Sequence, residues 1–422
     1  MTAIMTRPRR FHAFCLSVAV CLLAVVSCST GPKQQFRAGA AAVDITPQQW
    51  PLPLIGSFSY RPASSAHDPL HARALVLDDG LRSIALVVID SCYVARQVLD
   101  EAKRRASEAT GIPSHHMLMS ATHTHTAPAA LAREPTEPEK HYTELLTRQI
   151  VGAVQQAAER LEPAEIGWGR GEVPEELFNR RWFMKAGTIP PNPFGETTDQ
   201  VRMNPPGQSP DLIRPAGPTD PEVSVVSVRA TDGRPLALLA NYSLHYVGGV
   251  PPGQVSADYF GEFARLITAK ISPGSGTGEF VGILSNGTSG DVNNINFTQA
   301  RPKSKPFERI RTVAKRVADA AHEAYTGVEY QTAPSLAMAE KEITLAVRKP
   351  TTEGYEKAKQ VLANGDESKL PRRAKSYAER AIRLYEGPDT VAIKLQAVRI
   401  GELGIAAIPF EVFTEIGLEI KQ

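Results

Sequence analysis

The sequence predicts an α/β fold with a mixed β-sheet, built from hairpins and flanked by helices. Two observations carry this prediction. Three pairs of apolar runs rich in Val, Ile and Leu are each joined by a short bend that contains glycine, and helical patterns lie between these pairs. Strands that alternate with helices are typical of α/β proteins, in which helices cover a sheet.

The three hairpin-like segments share one layout. The bend is Asp-Asp-Gly in residues 73–90, Thr-Asp-Gly in residues 222–243 and Gly-Glu-Leu-Gly in residues 390–409. Apolar runs on both sides of an Asp-Gly bend are a strong hairpin signal. The sequence shows no wider repeat, so these segments indicate recurring architecture rather than a solenoid.

Apolar residues at helical spacing predict four helices, and two further apolar runs predict single strands between them. The helices are expected over residues 93–110, 138–161, 258–271 and 306–326, and the strands over Met117–Ala121 and Phe280–Leu284. Residues 351–387 are highly charged, and we expect them to form a solvated helical insertion.

Residues 183–222 are rich in Pro, Gly and Asn. A loop of this length is unusual in a compact domain, and long ordered loops are often binding segments. The alternative is a disordered surface loop.

The N-terminus has the layout of a secretory signal. Three arginines, Arg7, Arg9 and Arg10, precede an apolar run that is short for a membrane span. The run ends in Val25-Val26-Ser27-Cys28, which resembles the bacterial lipobox. We therefore expect a signal peptide over residues 1–27, a tether over residues 28–38 and a folded body over residues 39–422. An acylated Cys28 would hold that body to a membrane surface outside the cytoplasm, as an exported lipoprotein; the alternative is an uncleaved membrane anchor.

Charge and cysteine content exclude several classes of protein. Without residues 1–27 the chain has 44 Lys and Arg against 45 Asp and Glu, so its body gives no electrostatic reason to bind nucleic acid. Of the four cysteines only Cys92 lies in that body. A disulfide framework within the chain and a cysteine-rich metal site are thus excluded, and any metal must be held by His, Asp, Glu or Tyr.

The sharpest local signal is Ser120-Ala121-Thr122-His123-Thr124-His125-Thr126, which follows an expected strand. Residues two apart in an extended chain face the same side, so His123 and His125 would project together. Neutral imidazole is a common zinc ligand, and His-x-His supplies two nitrogens. The alternative is a pair of histidines hydrogen-bonded among the surrounding threonines.

Two further groups follow expected strands in the same way. The second hairpin runs into His245, and the third runs into Glu411. Each of these residues alone is more often an ordinary half-buried histidine or exposed acid. Strand ends at one edge of a sheet are where α/β sites form, and two histidines with a carboxylate are a catalytic zinc set. Their shared placement therefore predicts a zinc site.

A fourth element is the strand Phe280–Leu284 followed by Ser-Asn-Gly-Thr-Ser-Gly-Asp-Val-Asn-Asn. The backbone amides and short side chains of this loop could line a site and bind a substrate oxygen. It lacks the lysine of a P-loop, so a phosphate cradle is not expected. The alternative is a tight surface turn.

From about Gly39 onward the chain resembles the catalytic domain of the neutral (non-lysosomal) ceramidases. The motifs that carry the resemblance occur in the family's order: AGAAAVDITP, DPLHARALVLDDG, SATHTHTAPA, FNRR, LHYVGG, VSADYFGE, SNGTSGDVNN and IPFEVFTEIG. SATHTHTAPA is the most specific of them.

The resemblance implies a zinc-dependent amidase that splits an N-acyl lipid into a fatty acid and an amine. It implies His123, His245 and Glu411 as zinc ligands. It places His125 and Arg180 beside the substrate carbonyl or the tetrahedral intermediate.

The resemblance also assigns Asp258 to a position near the metal, where we expect it to orient His245. The chain departs from the family pattern twice. Asn293 stands where ceramidases have a serine needed for activity; it can donate a hydrogen bond to an oxyanion but cannot act as a nucleophile. The family also has a tyrosine ligand and an immunoglobulin-like domain further on, and the chain stops at Gln422, so we expect a fragment.

The chemistry expected is metal-assisted hydrolysis with His125, Arg180 and Asn293 as oxyanion donors. The main alternative is a catalytically inactive lipoprotein that binds an acyl lipid or a surface partner. An amidohydrolase barrel would need eight strand–helix units, which the hairpins argue against. A metallo-β-lactamase-type site would continue His-x-His-x-Asp-His, whereas this chain continues Thr126-Ala127-Pro128.

Overall fold

A computed structural model describes residues 2–6, 35–57, 59–130, 135–274, 279–364, 368 and 370–422. The expected acylation site Cys28, and most of the expected signal peptide and tether, lie outside these residues. The strands are, in chain order, β1 (Thr2–Thr6), β2 (Arg37–Asp44), β3 (Leu52–Pro53), β4 (Pro62–Ala63), β5 (Ser65–Ala66), β6 (His71–Asp78), β7 (Ser83–Ile89), β8 (Met117–Ala121), β9 (Glu162–Glu172), β10 (Phe178–Asn179), β11 (Arg181–Met184), β12 (Val201–Met203), β13 (Leu212–Pro215), β14 (Glu222–Ala230), β15 (Pro235–Tyr242), β16 (Gln254–Val255), β17 (Val281–Asn286), β18 (Val292–Asn293), β19 (Leu336–Ala346), β20 (Thr390–Ile400) and β21 (Leu403–Ala407).

The helices are α1 (Arg96–Thr110), α2 (Glu137–Glu159), α3 (Asp258–Ile271), α4 (Glu308–Thr326), α5 (Thr352–Ala363), α6 (Ala374–Glu386) and α7 (Thr414–Lys421). The predicted helices and single strands are confirmed, with ends that move by up to three residues. Two ends have clear chemical causes. Helix α2 begins with a capping box, in which the side chains of Thr136 and Glu139 each bond to the backbone N–H of the other. Helix α1 ends at Gly111, which has a left-handed backbone conformation.

The centre of the protein is an eight-stranded mixed sheet in the order β17-β15-β14-β9-β2-β6-β7-β8. The pairs β7–β8 and β15–β17 are parallel, with α1 and α3 as their crossovers, and the other neighbours are antiparallel. The predicted hairpins over residues 73–90 and 222–243 are β6–β7 and β14–β15. The predicted α/β class with a mixed sheet is confirmed.

The sheet curves until its two edges meet. Residues of β17 contact residues of β7 and β8, although these strands lie at opposite ends of the strand order. Leu86 and Leu118 from one edge share a buried cluster with Leu239 and Ile283 from the other. The carboxyl ends of both parallel pairs therefore come close together in space.

Three buried clusters hold this arrangement. Helices α1 and α2 cover one part of the outer face, and α3 and α4 cover another. The inner face packs against β20 and β21 through Val398, Ile400, Leu403 and Ile405. These strands belong to a four-stranded sheet, β1-β21-β20-β19, in which the third predicted hairpin is confirmed as β20–β21.

The two compositionally unusual segments both contain regular secondary structure. Residues 183–222 include a three-stranded sheet, β12-β11-β13, so the alternative of a structureless surface loop is wrong. Residues 351–387 contain α5 and α6, which connect β19 to β20 and pack together through buried Ala358, Ala378 and Ala381.

The N-terminal boundary differs slightly from the prediction. Phe36 is fully buried and β2 begins at Arg37, so the folded body begins before the expected end of the tether at residue 38. Within the expected signal peptide, β1 pairs antiparallel with β21. In the described part of the chain, helices that combine the length and apolarity needed to cross a bilayer are absent.

Candidate metal centre and active site

His123 follows the carboxyl end of β8 in a left-handed backbone conformation, with φ of 70°. Its N–H donates to the Ser91 carbonyl at 2.8 Å, which holds this uncommon conformation. We expected an extended His-x-His segment, and that expectation is wrong. The two imidazoles still come together, because Nε2 of His123 lies 3.3 Å from Nε2 of His125.

The ring of His123 is oriented by backbone. Its Nδ1 lies 2.8 Å from the carbonyl oxygen of Cys92. Cys92 lies in the loop after β7, directly after Ser91. In this pair the imidazole donates its Nδ1 hydrogen, which leaves the lone pair of Nε2 for a metal ion.

His245 is oriented in the same way from the other parallel strand pair. It follows β15 and is 1% exposed, and its Nδ1 lies 3.0 Å from the Ser289 carbonyl oxygen. Burial, with a contribution from the Arg180 cation, holds the pKa of His245 well below its ordinary value. The neutral ring therefore also presents an unprotonated Nε2.

Glu411 completes the group from the loop after β21. Its Oε2 lies 3.8 Å from Nε2 of His123, and its Oε1 lies 3.7 Å from Nε2 of His245. The three donor atoms all lie within 4.8 Å of one another. Tetrahedral ligands about 2 Å from a common ion are separated by about 3 to 4 Å, so this set of two neutral imidazoles and one carboxylate fits zinc. The predicted convergence of the three side chains is what the structure shows.

Arg180 bridges the carboxylate and the loop behind it. Its Nη2 donates to Oε1 of Glu411 at 2.7 Å and to the Gly290 carbonyl at 2.6 Å. Its own N–H donates to the Asp291 carbonyl at 2.7 Å. The guanidinium is therefore fixed beside the Glu411 carboxylate, and its expected place beside a substrate carbonyl stays a prediction.

His125 lies beside the same centre and is neutral. Burial, the neighbouring His123 and the Arg180 cation lower its pKa to about 3. Its ring stacks on Tyr246 at a centroid distance of 3.9 Å. The left-handed Gly56 passes so close that a Cβ there would lie 2.5 Å from the imidazole.

The loop Ser285–Asn294 mainly holds the segment around Glu411 in place through hydrogen bonds. The Gly290 N–H donates to the Val412 carbonyl at 2.8 Å, so it holds the Glu411 segment and does not face a substrate oxygen. The buried Asp291 carboxylate accepts hydrogen bonds from Thr414, at 2.9 and 3.0 Å, and from Asn179 at 2.9 Å. The alternative of a surface turn is wrong, since Ser289 and Asp291 are at most 1% exposed.

Asn293 lies in β18 at the edge of the site. Its Nδ2 donates to Oδ1 of Asn204 at 3.0 Å, and its Oδ1 accepts from the Ile295 N–H at 3.0 Å. One of the two Nδ2 hydrogens is thus used for structure. The other remains for a bound group, so the predicted role as a hydrogen-bond donor stays a prediction.

We had expected Asp258 to orient His245, but it does not. The fully buried carboxylate accepts hydrogen bonds from the N–H groups of Val247 at 3.0 Å, Gly248 at 2.8 Å and Tyr259 at 2.7 Å. It therefore shapes the glycine loop after His245, while the orienting contact of the ring comes from the Ser289 carbonyl. A carbonyl group has no side-chain signature, so sequence reasoning could not find it.

Sequence reasoning also missed Arg61, Tyr246 and Asn204. Arg61 donates from Nη2 to the His125 carbonyl at 3.1 Å, from a loop 64 residues away. Only Tyr246 carried a usable signal, because an aromatic residue directly follows His245.

Two cavities reach this centre from different sides. One, of about 430 Å³, reaches His123 and Glu411, and most of its lining is apolar, including Val94, Leu99 and Phe410. The other, of about 360 Å³, is polar and reaches His125, His245 and Arg180.

The model of the N-terminal domain of neutral/alkaline non-lysosomal ceramidases matches residues 36–305. Among solved structures, the chain is similar to the neutral ceramidase from Pseudomonas aeruginosa, with 18% sequence identity and a TM-score of 0.63 over 87% of this chain and 61% of that one. It is also similar to a structure described as a ceramidase complexed with C2, with 16% identity and a TM-score of 0.60 over 87% and 62% of the two chains. The chain thus spans about three fifths of the length of these proteins, and Glu411 lies beyond the family match.

The structural likeness concerns the fold, since identity is low. The family match covers the segments that contain His123, His245, His125 and Arg180. The chain belongs to the neutral/alkaline non-lysosomal ceramidase family.

Proposed function

We propose that this protein is a zinc-dependent hydrolase that cleaves the amide bond of an N-acyl lipid or a related N-acyl amine. The observation that carries the proposal is the convergence of His123, His245 and Glu411, whose donor atoms lie within 4.8 Å of one another. The family to which the chain belongs implies a hydrolase of the ceramidase type.

The donor set favours zinc over other common ions. Two neutral imidazoles and one carboxylate are a catalytic zinc set that leaves a position for water or substrate, whereas calcium and magnesium prefer oxygen ligands. Zinc in such a site supplies Lewis acidity and lowers the pKa of water to about 7.

The neighbouring side chains supply the remaining functions of an amide hydrolase. The guanidinium of Arg180 is held by Glu411 and the Gly290 carbonyl, so its N–H groups would be preorganised beside the reacting carbonyl. His125 is neutral and can donate one hydrogen bond to the oxygen that becomes negatively charged. The loss of one such donor typically costs about a hundredfold or more in rate.

The two cavities match the two halves of an N-acyl amine. An acyl chain fits the largely apolar cavity beside His123 and Glu411, which would remove its methylenes from water. The amine half would then lie in the polar cavity beside His125 and His245. This places the amide bond between the cavities, next to Arg180.

We further propose that the protein is exported and held to a membrane surface through an acylated Cys28, after removal of residues 1–27. This rests on the basic, apolar and lipobox-like order of the N-terminal sequence. An acyl anchor would bring the site to the surface where N-acyl lipids are found.

The test uses the purified protein, its metal content and its activity on soluble N-acyl amines before and after chelation. We expect one zinc per chain, and we expect activity that chelation removes and zinc restores. His245→Gln should lose metal and activity together, whereas His115→Gln, at an exposed residue before the amino end of β8, should keep both. Binding of N-acyl lipids without hydrolysis of any of them would support the alternative of an inactive lipoprotein. Asn293 favours that alternative, because it stands where the family has a serine needed for activity.

A further inference from the structure

We propose that the polar cavity selects an anionic group on the amine half of the substrate, such as a carboxylate or a phosphate. The substrate class would then be single-chain N-acyl amines with an acidic head, for example N-acyl amino acids, rather than two-chain neutral lipids. This inference rests on the proposed hydrolase function and adds its specificity.

The charged side chains that line the polar cavity are all positive. Its lining includes the three arginines Arg61, Arg180 and Arg301, and no aspartate or glutamate is among the described residues that line it. Glu411 compensates Arg180 through the 2.7 Å ion pair, and Asp258 is engaged by the N–H groups of Val247 and Gly248. Arg61 and Arg301 are left without a carboxylate partner among the described residues.

Several donors in this cavity have no acceptor. The Nε atom of Arg61 is buried, and no described residue accepts a hydrogen bond from it. Within the described ranges, Arg301 and Asn294 also make no side-chain hydrogen bond or ion pair, although both line the cavity. The Nε atom of Arg61 is costly to leave without a partner because it is buried, whereas the exposed Arg301 mainly adds positive charge to the cavity. An anion would form charge-assisted hydrogen bonds with both guanidinium groups.

The position of these donors connects them to the amide chemistry. The cavity that holds Arg61 and Arg301 also reaches His125, His245 and Arg180, so a group bound there belongs to the molecule whose amide is cleaved. The apolar cavity takes the acyl chain, which leaves the anion on the amine side. A volume of about 360 Å³ with three arginines suits a compact acidic head better than a second long hydrocarbon chain.

The test compares three substrates with the same acyl chain on the zinc-loaded protein: N-octanoylglycine, N-octanoyl phosphoethanolamine and neutral N-octanoylethanolamine. We expect kcat/KM to be about tenfold or more higher for at least one anionic substrate, since hydrogen bonds to charged groups contribute that much. The two anionic compounds distinguish a carboxylate head from a phosphate head.

Arg301→Gln should lower kcat/KM for the preferred anionic substrate about tenfold and change the value for the neutral amide by less than about twofold. Arg301 is exposed, so this variant should fold normally. Arg265→Gln, on the exposed face of α3, is the matched control and should leave the ratio between the substrates unchanged.

Binding to the metal-free protein gives a second readout that needs no catalysis. Calorimetry should show tighter binding of the preferred anionic compound than of N-octanoylethanolamine, and Arg301→Gln should abolish the difference. Equal hydrolysis and equal binding of neutral and anionic compounds would overturn the anion site but leave the hydrolase function intact. Selective anion binding with no hydrolysis of any amide would overturn the proposed function and support the anion site.

Discussion

The guanidinium of Arg180 and the carboxylate of Glu411 form an ion pair across 231 residues of chain, with Nη2 lying 2.7 Å from Oε1. The same Nη2 donates to the Gly290 carbonyl at 2.6 Å. One arginine therefore positions a proposed metal ligand and the loop that supports it, and at the same time directs positive charge at the proposed reaction centre.

Arg180→Lys should lower kcat/KM for amide hydrolysis by about a hundredfold, although the charge is kept. A lysine ammonium lacks the planar fork that contacts Glu411 and Gly290 together. The measurement is steady-state kinetics with metal content determined in parallel. Arg265→Lys is the control, because Arg265 pairs with Glu262 on the exposed side of α3. A rate for Arg180→Lys within about twofold of the parent would contradict the role given to the guanidinium.

Gly290→Ala should weaken metal binding by about tenfold or more. An added Cβ would lie 2.7 Å from the carbonyl oxygens of both Glu411 and Val412, so the segment that carries the proposed ligand must move. Supporting contacts around metal ligands typically contribute about tenfold to a hundredfold in affinity. A chelator competition titration measures this.

The matched control for that substitution is Gly152→Ala. Gly152 lies within α2, where a Cβ would meet no atom within 4 Å, so alanine should stabilise the protein by up to about 1 kcal/mol. Equal metal affinity in the Gly290 and Gly152 variants would show that the Glu411 loop does not depend on its close packing against Gly290.

Asn293 and Asn204 should be energetically coupled. Their side chains share a 3.0 Å hydrogen bond, and the Asn293 side chain also accepts from the Ile295 N–H. Urea unfolding of Asn293→Ala, Asn204→Ala and the double variant should give a coupling energy of about 1 kcal/mol. Strict additivity of the two single variants would mean that Asn293 is available to a ligand without restraint.

His71 should make stability depend on pH. Its Nδ1 faces the guanidinium of Arg73, which pairs with buried Asp90 at 2.7 Å. Burial, together with the Arg73 cation, lowers the pKa of His71 below its ordinary value of 6.5. As the pH falls through that value, the unfolded chain takes up a proton that the folded protein does not, so stability is lost in acid.

His71→Gln should remove this contribution and flatten the decline in unfolding free energy between about pH 7.5 and about pH 5.5. One histidine can account for at most about 1.4 kcal/mol per pH unit. Urea unfolding at several pH values measures the slope. An unchanged slope in the variant would assign the acid sensitivity to other groups.

Most of the local structure could be predicted because it depends on short-range patterns. Apolar residues on both sides of Asp-Asp-Gly and Thr-Asp-Gly predicted two hairpins of the central sheet, and helical spacing predicted α1 to α4. His123, His245 and Glu411 could be proposed because each follows a strand, and strand ends collect at one edge of a sheet. That argument assumed one shared sheet, whereas Glu411 follows β21 of the four-stranded sheet and reaches the two histidines by the packing of one sheet on the other.

The hydrogen-bond partners could not be predicted in the same way. Asp258 was expected to orient His245, but this contact comes from the Ser289 carbonyl across 44 residues. His123 was expected in an extended chain, yet it adopts a left-handed conformation held by Ser91. Backbone carbonyls are identical in every residue, so only the path of the chain decides which of them face a side chain.

The sequence by itself determined the α/β class, the hairpins, the main helices and the chemical character of the three proposed metal ligands, since these depend on residue type and spacing. Tertiary structure alone decided that β8 and β17, at opposite ends of the sheet, meet through its curvature. It also decided that Arg180 holds Glu411, and that Arg61 and Arg301 share one cavity. The physical reason is that such contacts arise from the packing of buried faces between distant segments, which no local pattern encodes.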